Sequence, residues 1–200
     1  TYALNLPARF SVGFNGKYIQ QSIANSQSKG FAVDFGTLFI TPFGFTLGTS
    51  ISNFGPKLRM TGDDLLIGAD VDENIEGNNE SVTGVLSTDY FDLPLVLRIG
   101  VSDQFQMGPR NQIIISADAI SPNDNANYIN AGLKLQLLDG LISLYAGANS
   151  LFLDNAESEF SLGGGITIPQ ILNNSLSIYF THEQMKFLGN SQQLSISFNY

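Results

Sequence analysis

Gln192-Gln193-Leu194-Ser195-Ile196-Ser197-Phe198-Asn199-Tyr200 ends the sequence. Leu194, Ile196, Phe198 and Tyr200 alternate with Ser195, Ser197 and Asn199. Side chains along a strand alternate between two faces, so the pattern gives one apolar face and one small polar face. A terminal strand of a soluble domain usually frays. A transmembrane β-barrel instead needs its last strand to remove a free sheet edge. The stretch predicts a barrel-closing terminal strand carried by Leu194, Ile196, Phe198 and Tyr200.

The same period-two pattern recurs upstream. Alternation over 10–15, 31–39, 45–52, 93–102, 113–118, 133–137, 142–147, 160–168 and 175–181 predicts nine more strands, about ten in all. No stretch carries a sustained 3.6-residue apolar stripe with caps. The only helical exception expected is a minor one around Asp63 to Gly68. No apolar run reaches the roughly 18 residues a transmembrane helix needs. Thr1-Tyr2-Ala3-Leu4 lacks the basic flank and apolar core of a signal peptide, so either a signal has been removed or the chain begins partway through a longer protein. The fold class is read as all-β, a single antiparallel transmembrane β-barrel domain over 1–200.

The links test this reading. Outer-membrane barrels have short periplasmic turns and longer extracellular loops. With Tyr200 periplasmic, the extracellular links fall at 184–191, 152–157, 121–127, 57–92 and 23–29. The periplasmic links fall at 169–174, 138–140, 106–110 and 41–43. The longest link and the shortest ones take opposite sides, as a barrel requires.

The net charge of -9 is local. Residues 61–92 hold nine of the 18 acids and no Lys or Arg. No basic stripe exists, so nucleic acid is not an expected partner. There is no Cys, hence no disulfide and no thiolate. The polar strand face is rich in Gly, Ser, Thr and Asn and carries Arg9, Lys17, Asp34, Arg98, Asp118, Lys134 and Glu159. A small, mostly uncharged face suits a crowded barrel interior better than the water-facing side of a sandwich. The seven charged residues are expected to form a network in the lumen. A brace of salt bridges is the first reading of it and a substrate path the second.

Several stretches, in order, resemble the PorV/PorQ-like outer-membrane proteins, FadL-like barrels of Bacteroidetes-type bacteria. They include Asn15-Gly16-Lys17-Tyr18-Ile19, Gly30-Phe31-Ala32-Val33-Asp34-Phe35-Gly36-Thr37-Leu38, Ser50-Ile51-Ser52-Asn53-Phe54-Gly55-Pro56-Lys57 and Gly62-Asp63-Asp64-Leu65-Leu66. They continue with Glu76-Gly77-Asn78-Asn79, Leu93-Pro94-Leu95, Pro122-Asn123-Asp124-Asn125 and Phe160-Ser161-Leu162-Gly163-Gly164-Gly165. The resemblance implies that this chain is the carboxy-terminal part of a larger, about fourteen-stranded barrel, or a version that has lost the start. It also implies a non-enzymatic role in the outer membrane, with lipid and other outer-membrane or secreted proteins as partners. PorV-like members receive or shuttle substrates of type IX secretion and hold proteins on the cell surface. FadL-like relatives take up hydrophobic molecules, and a structural barrel in a surface assembly is the third expectation.

The loop at 57–92 is the expected partner-binding element, through Asp63, Asp64, Asp70, Asp72, Glu73, Glu76, Asn78 and Asn79. Asp70, Asp72, Asn74 and Glu76 also open with the alternate-ligand spacing of an EF-hand. Ile75 then stands where the turn glycine belongs and Ser81 where the closing Glu belongs, so a solvated acidic loop is the preferred reading. His182, the single histidine, cannot assemble a zinc site with no Cys and reads as a rim residue rather than a catalytic base. No Gly-x-Ser-x-Gly elbow occurs. Gly163-Gly164-Gly165 lies within a strand pattern and reads as close packing, not as a phosphate loop. No catalytic residue and no cofactor are expected.

Overall fold

The structure, a computed structural model, describes residues 1–6, 9–69, 82–154, 156–171, 174–187 and 189–199. The strands in chain order are β1 (Tyr2–Leu6), β2 (Phe10–Ile23), β3 (Ser26–Ile40), β4 (Thr46–Phe54), β5 (Thr61–Gly62), β6 (Leu66–Ala69) and β7 (Val82–Val85). They continue as β8 (Val96–Gln106), β9 (Gln112–Pro122), β10 (Tyr128–Leu137), β11 (Ile142–Leu151), β12 (Ser158–Ile171), β13 (Asn174–Met185) and β14 (Ser191–Asn199). Among the described residues one 3-10 turn, Asp63–Leu65, lies inside the stretch where a short helical element is expected.

The protein is all-β. Twelve strands form one antiparallel sheet in the order β1-β2-β3-β4-β8-β9-β10-β11-β12-β13-β14, with β5 attached to β3. All ten expected strands are present, and β1 joins them. Each strand pairs with its neighbour in sequence, apart from β5 to β7, which sit in the link between β4 and β8. Turns after β1, β3, β8, β10 and β12 fall at one end of the sheet. Those after β2, β4, β9, β11 and β13 fall at the other, the sides expected from counting. The link after β2 is shorter than expected, because β2 and β3 run on until only Ala24 and Asn25 separate them.

The sheet does not close among the described residues. β14 pairs with β13 alone, and β1 with β2 alone. The expected barrel-closing strand at Leu194, Ile196 and Phe198 is therefore an edge strand, and Tyr200 lies outside the described residues. The reason is directional: eleven strands in one meander leave β1 and β14 running the same way, so they cannot meet as an antiparallel pair.

Register sorts the side chains cleanly. Across β1, β2 and β3, Leu4 pairs Val12, Phe14 pairs Phe35 and Phe10 pairs Phe39. Farther along, Thr49 pairs Ile99, Ile115 pairs Leu133, Leu144 pairs Leu135, and Ile178 pairs both Ile166 and Ile196. These positions form one continuous apolar face, and it is exposed: Phe14 is 50% accessible, Ile99 52%, Leu144 47% and Ile196 58%. Eleven strands at about 4.8 Å spacing make a face roughly 50 Å wide, on the order of 1,000 Å². That exceeds the largest apolar patch, about 300–600 Å², of an ordinary soluble monomer.

The buried core is correspondingly small. Ala32, Leu58 and Leu93 are its buried centre, with Ile19 and Phe91 packed against them. It lies where the link between β4 and β8 folds back over the polar face of β2 and β3.

Candidate functional site

The polar face carries four hydrogen-bonded groups, and the first is built around a bulge. Pairing of β3 with β4 shifts between Val33 and Phe35, and Asn53 takes a left-handed φ of 62°. Asn tolerates that conformation because its side chain can bond locally. The shift turns the Asn53 N–H toward Asp34 Oδ1, 2.8 Å away. Lys17 Nζ sits 2.7 Å from Asp34 Oδ2 and donates to Asn53 Oδ1 at 2.9 Å. Asn15 Nδ2 donates to Asp34 Oδ2 at 3.1 Å, and Asn53 Nδ2 donates to the Pro94 carbonyl at 2.8 Å. One carboxylate thus ties three strands together, and Asn53 extends the tie to the end of the long link.

The second group is glycine against tyrosine. Gly163 pairs Tyr145 and Gly165 pairs Tyr179, so each ring stands beside a residue with no side chain. The two rings meet edge-on at 6.1 Å, and Lys134 Nζ lies 5.5 Å from the Tyr145 centroid. Tyr179 Oη and Thr167 Oγ1 are 3.1 Å apart, and Thr167 Oγ1 lies 3.0 Å from Ser177 Oγ. A Cβ at Gly165 would overlap the Tyr179 ring and stand 2.8 Å from the Ile178 carbonyl oxygen. Gly165→Ala is expected to destabilise by about 1–3 kcal/mol, as overpacking does. The guanidinium unfolding midpoint checks it, and an unchanged midpoint would refute the close fit.

The third group is a ladder of amides. Gln104 Nε2 donates to Gln112 Oε1 at 2.5 Å, and Gln112 donates to Gln136. The fourth group lies at the opposite end of the sheet, on β11 to β13, where Asn149 Nδ2 reaches Ser158 Oγ at 3.1 Å and Glu183 Oε1 at 3.4 Å, and Ser158 donates to Glu183.

Of the seven expected charges, the described residues join only Lys17 and Asp34 as an ion pair. Arg98 and Asp118 are exposed and line a cavity of about 520 Å³, floored by Gly13, Gly36, Gly48 and Gly100. Lys134 serves Tyr145. Arg9 is not on a strand: it sits in the turn after β1 at φ 66°, its carbonyl accepting from Ile40 N at 2.9 Å. Glu159 belongs to β12, and its side chain lies outside the described residues. The expected network is therefore one ion pair among separate polar groups. Glu183 and the glutamine ladder were not anticipated: Gln104, Gln112 and Glu183 lie where β8, β9 and β13 run past the alternating stretches, and only Gln136 falls at a polar position within one.

His182 pairs Leu162 on the apolar face, at the end of β13 away from the turn after β12. Ser161 and Ser177 occupy the polar face. The sheet itself stands between imidazole and hydroxyls, so no nucleophile–base pair forms there.

The other gathering place is the link spanning 55–95. β5 adds to β3 through Ser26 with Gly62 and Gln27 with Thr61. Leu58 and Phe91 exchange backbone hydrogen bonds at 2.8 Å, and Leu58 packs over Gly30. Lys57 pairs Asp92 at 3.0 Å, and Asn123 Nδ2 donates to the Leu93 carbonyl at 2.9 Å. From this anchored base, β6 and β7 project as a separate two-stranded hairpin. Its apolar residues are exposed: Leu66 48%, Val82 45% and Val85 67%. Ser28, beneath the base, is 2% accessible and its hydroxyl has no partner. Ser28→Ala removes an unsatisfied buried donor and is expected to raise stability by about 1 kcal/mol. A lowered midpoint would show that the hydroxyl is used.

Of the expected partner-binding residues, Asp63 is exposed in the 3-10 turn. Asp64 is engaged within the chain: Asn25 N donates to Oδ2 at 2.8 Å and Asn25 Nδ2 to Oδ1 at 2.9 Å. Asp70, Asp72, Glu73, Asn74, Glu76, Asn78 and Asn79 lie outside the described residues, and the calcium reading lies there with them. The side-chain hydrogen bond from Asn25, then its backbone one, holds the Asp64 carboxyl below its ordinary 3.8. A depressed carboxylate contributes stability that is present above its unfolded value and lost as pH falls through the folded one. The tie between this link and the turn after β2 is expected to hold at neutral pH and release below about 3.8. Faster amide exchange at Asn25 over that window checks it; exchange unaltered by pH, after correction for intrinsic rates, would remove the tie's role.

Neither a family model nor a curated protein matches this chain.

Proposed function

We propose that this chain forms the wall of a bacterial outer-membrane β-barrel. Its apolar face meets lipid, its polar face turns toward the lumen, and the link at 55–95 lies on the extracellular side. The carrying observation is the continuous exposed apolar face backed by a hydrogen-bonded polar one. Strands β2 to β4 and β8 to β14 are nine to fifteen residues long, and about 9–11 suffice to cross a bilayer. Within that barrel the role is non-enzymatic. It is PorV-like: binding or shuttling secreted proteins and holding partners at the surface through the hairpin of β6 and β7.

The test is mild-detergent isolation from outer membranes with mass spectrometry of everything bound. Secreted or surface-anchored proteins would support the shuttle. Recovery from the soluble fraction would remove the barrel itself. A FadL-like uptake of hydrophobic compounds is the second reading. It is favoured by an apolar cavity of about 440 Å³ beside the bulge, lined by Phe31, Val33, Phe54 and Pro56. Bound lipid without protein partners would turn the assignment to it. A structural barrel would instead carry one stoichiometric neighbour and no cargo.

A further inference from the structure

We infer that the outward face of β3 and β4 holds an acyl chain and the phosphates of a phosphorylated glycolipid of the outer leaflet. The inference rests on the barrel reading above. The slot for the chain comes from the bulge. Ile51 pairs Phe35 and Phe54 pairs Val33, and all four stand on the apolar face. Same-face residues of a regular strand stand two apart, whereas Ile51 and Phe54 stand three apart. Two cavities open where the strands splay. One of about 440 Å³ lies among Phe31, Val33, Phe54 and Pro56, and one of about 270 Å³ among Val33, Phe35, Ile51 and Phe54. They share Val33 and Phe54, and every lining residue is apolar. Together they run from Phe31 to Phe35, about 13 Å along β3.

Positive charge gathers at the extracellular end of that slot. The Tyr18 and Phe31 rings meet at 5.3 Å on the outward face, as aromatic residues do at a membrane interface. Lys29, exposed on the same face, stands two residues beyond Phe31, about 7 Å toward the extracellular end. It has no ion-pair partner among the described residues. Leu58 and Phe91 oppose each other and pack inward with Ala32. Residues flanking an opposed pair project to the other side. The flanking pairs are Lys57 with Asp92, at 3.0 Å, and Arg59 with the Tyr90 ring, at 5.7 Å. Lys57 and Arg59 therefore project outward with Lys29, so this corner carries three of the chain's nine bases. An apolar slot at hydrocarbon depth beneath cations at headgroup height complements an anionic amphiphile. A phosphate can take several of these donors at once, the guanidinium in a bidentate pair. The slot opens on the face opposite Lys17 and Asp34, toward the leaflet and away from the lumen, which makes the occupant a lipid of the outer leaflet rather than cargo inside the wall.

The test is native mass spectrometry of the protein purified from outer membranes in mild detergent and titrated with lipid A. One lipid A held per chain is expected. Replacing the three bases together, by Lys29→Gln, Lys57→Gln and Arg59→Gln, is expected to weaken that binding at least about tenfold. Val33→Trp, which fills the slot and leaves the bases in place, is expected to weaken it as well. Lipid A stripped of its phosphates is expected to bind the parent and the neutralised variant alike. Equal binding of intact lipid A by the parent and both variants would overturn the inference. So would displacement of lipid A by an equal concentration of inorganic phosphate, which would leave an anion patch with no use for the slot. Displacement by an equimolar fatty acid would overturn it too and give the slot to uptake, as would a second copy held by the bases in place of lipid, which would make the corner a protein contact. All of these results leave the barrel reading intact. A chain recovered in the soluble fraction would instead defeat the barrel reading and, with it, this inference.

Discussion

Ile99→Arg is expected to destabilise the protein by about 2–4 kcal/mol in lipid vesicles, the cost of a cation on the lipid face near the bilayer midplane. Ile99 is in the interior of β8, between Thr49 and Ala119, on the apolar face and 52% exposed. The magnitude is what discriminates. If that face met water, replacing an exposed Ile by Arg would change stability by less than about 0.5 kcal/mol. Ser102, three residues along on the other face, pairs Thr46 and Ser116. Ser102→Arg places the same charge among polar groups and is expected to cost well under half as much. Guanidinium unfolding in vesicles measures both. Equal penalties would mean that the two faces see the same medium, and the membrane reading would fall.

The strands were legible because period two is a strong local signal wherever one face is wholly apolar. β12 to β14 follow it over Phe160–Ile168, Leu176–Phe180 and Leu194–Phe198. β1 carries the same alternation in Tyr2, Leu4 and Leu6, but over five residues broken by Pro7, too short to separate from a loop. β6 and β7 were hidden by the acids between them. Closure was not legible, for a different reason. Alternation in the last nine residues fixes the faces of a strand, not whether a neighbour exists on its far edge. That depends on the direction of β1, a property of the whole meander.

The polar face was legible as a face and not as contacts. Lys17, Asp34, Arg98, Asp118 and Lys134 all stand on it, as alternation requires. Which of them touch is set by register and by bulges. Asp34 meets Lys17 and Asn53 because the pairing slips at Val33 and an asparagine adopts positive φ. Asp118 pairs Gly100 while Arg98 pairs Ile120, which keeps this acid and base off directly opposed positions. Arg9 fell out of the face because a left-handed turn residue has no strand side to occupy. The folding back of Leu58, Phe91 and Leu93 was not legible, since Leu58 and Phe91 are isolated apolar residues in a loop and Leu93 counts in the alternation over 93–102 although β8 begins only at Val96.

That folded base changes how the long link should be cut. Deleting 61–88 takes out the acidic part of the expected partner-binding link, but it also removes Thr61, Gly62 and Asp64, which tie the link to β3 and Asn25. Deleting 66–85 removes the hairpin alone. The cut ends are already neighbours, because Leu86 N donates to the Leu65 carbonyl at 2.8 Å. A two-stranded hairpin with exposed Leu66, Val82 and Val85 is marginal in water by itself and adds little to the stability of the sheet. The 66–85 deletion is therefore expected to keep the parent unfolding midpoint, whereas the 61–88 deletion lowers it. Both are expected to cut partner recovery from outer membranes at least about tenfold, which corresponds to roughly 1.4 kcal/mol of binding. The pairing of a parental midpoint with lost recruitment isolates binding from folding. Full recovery of partners with the hairpin gone would move the contact surface off this link, most directly onto the neighbouring links after β2, β9, β11 and β13 at the same end of the sheet.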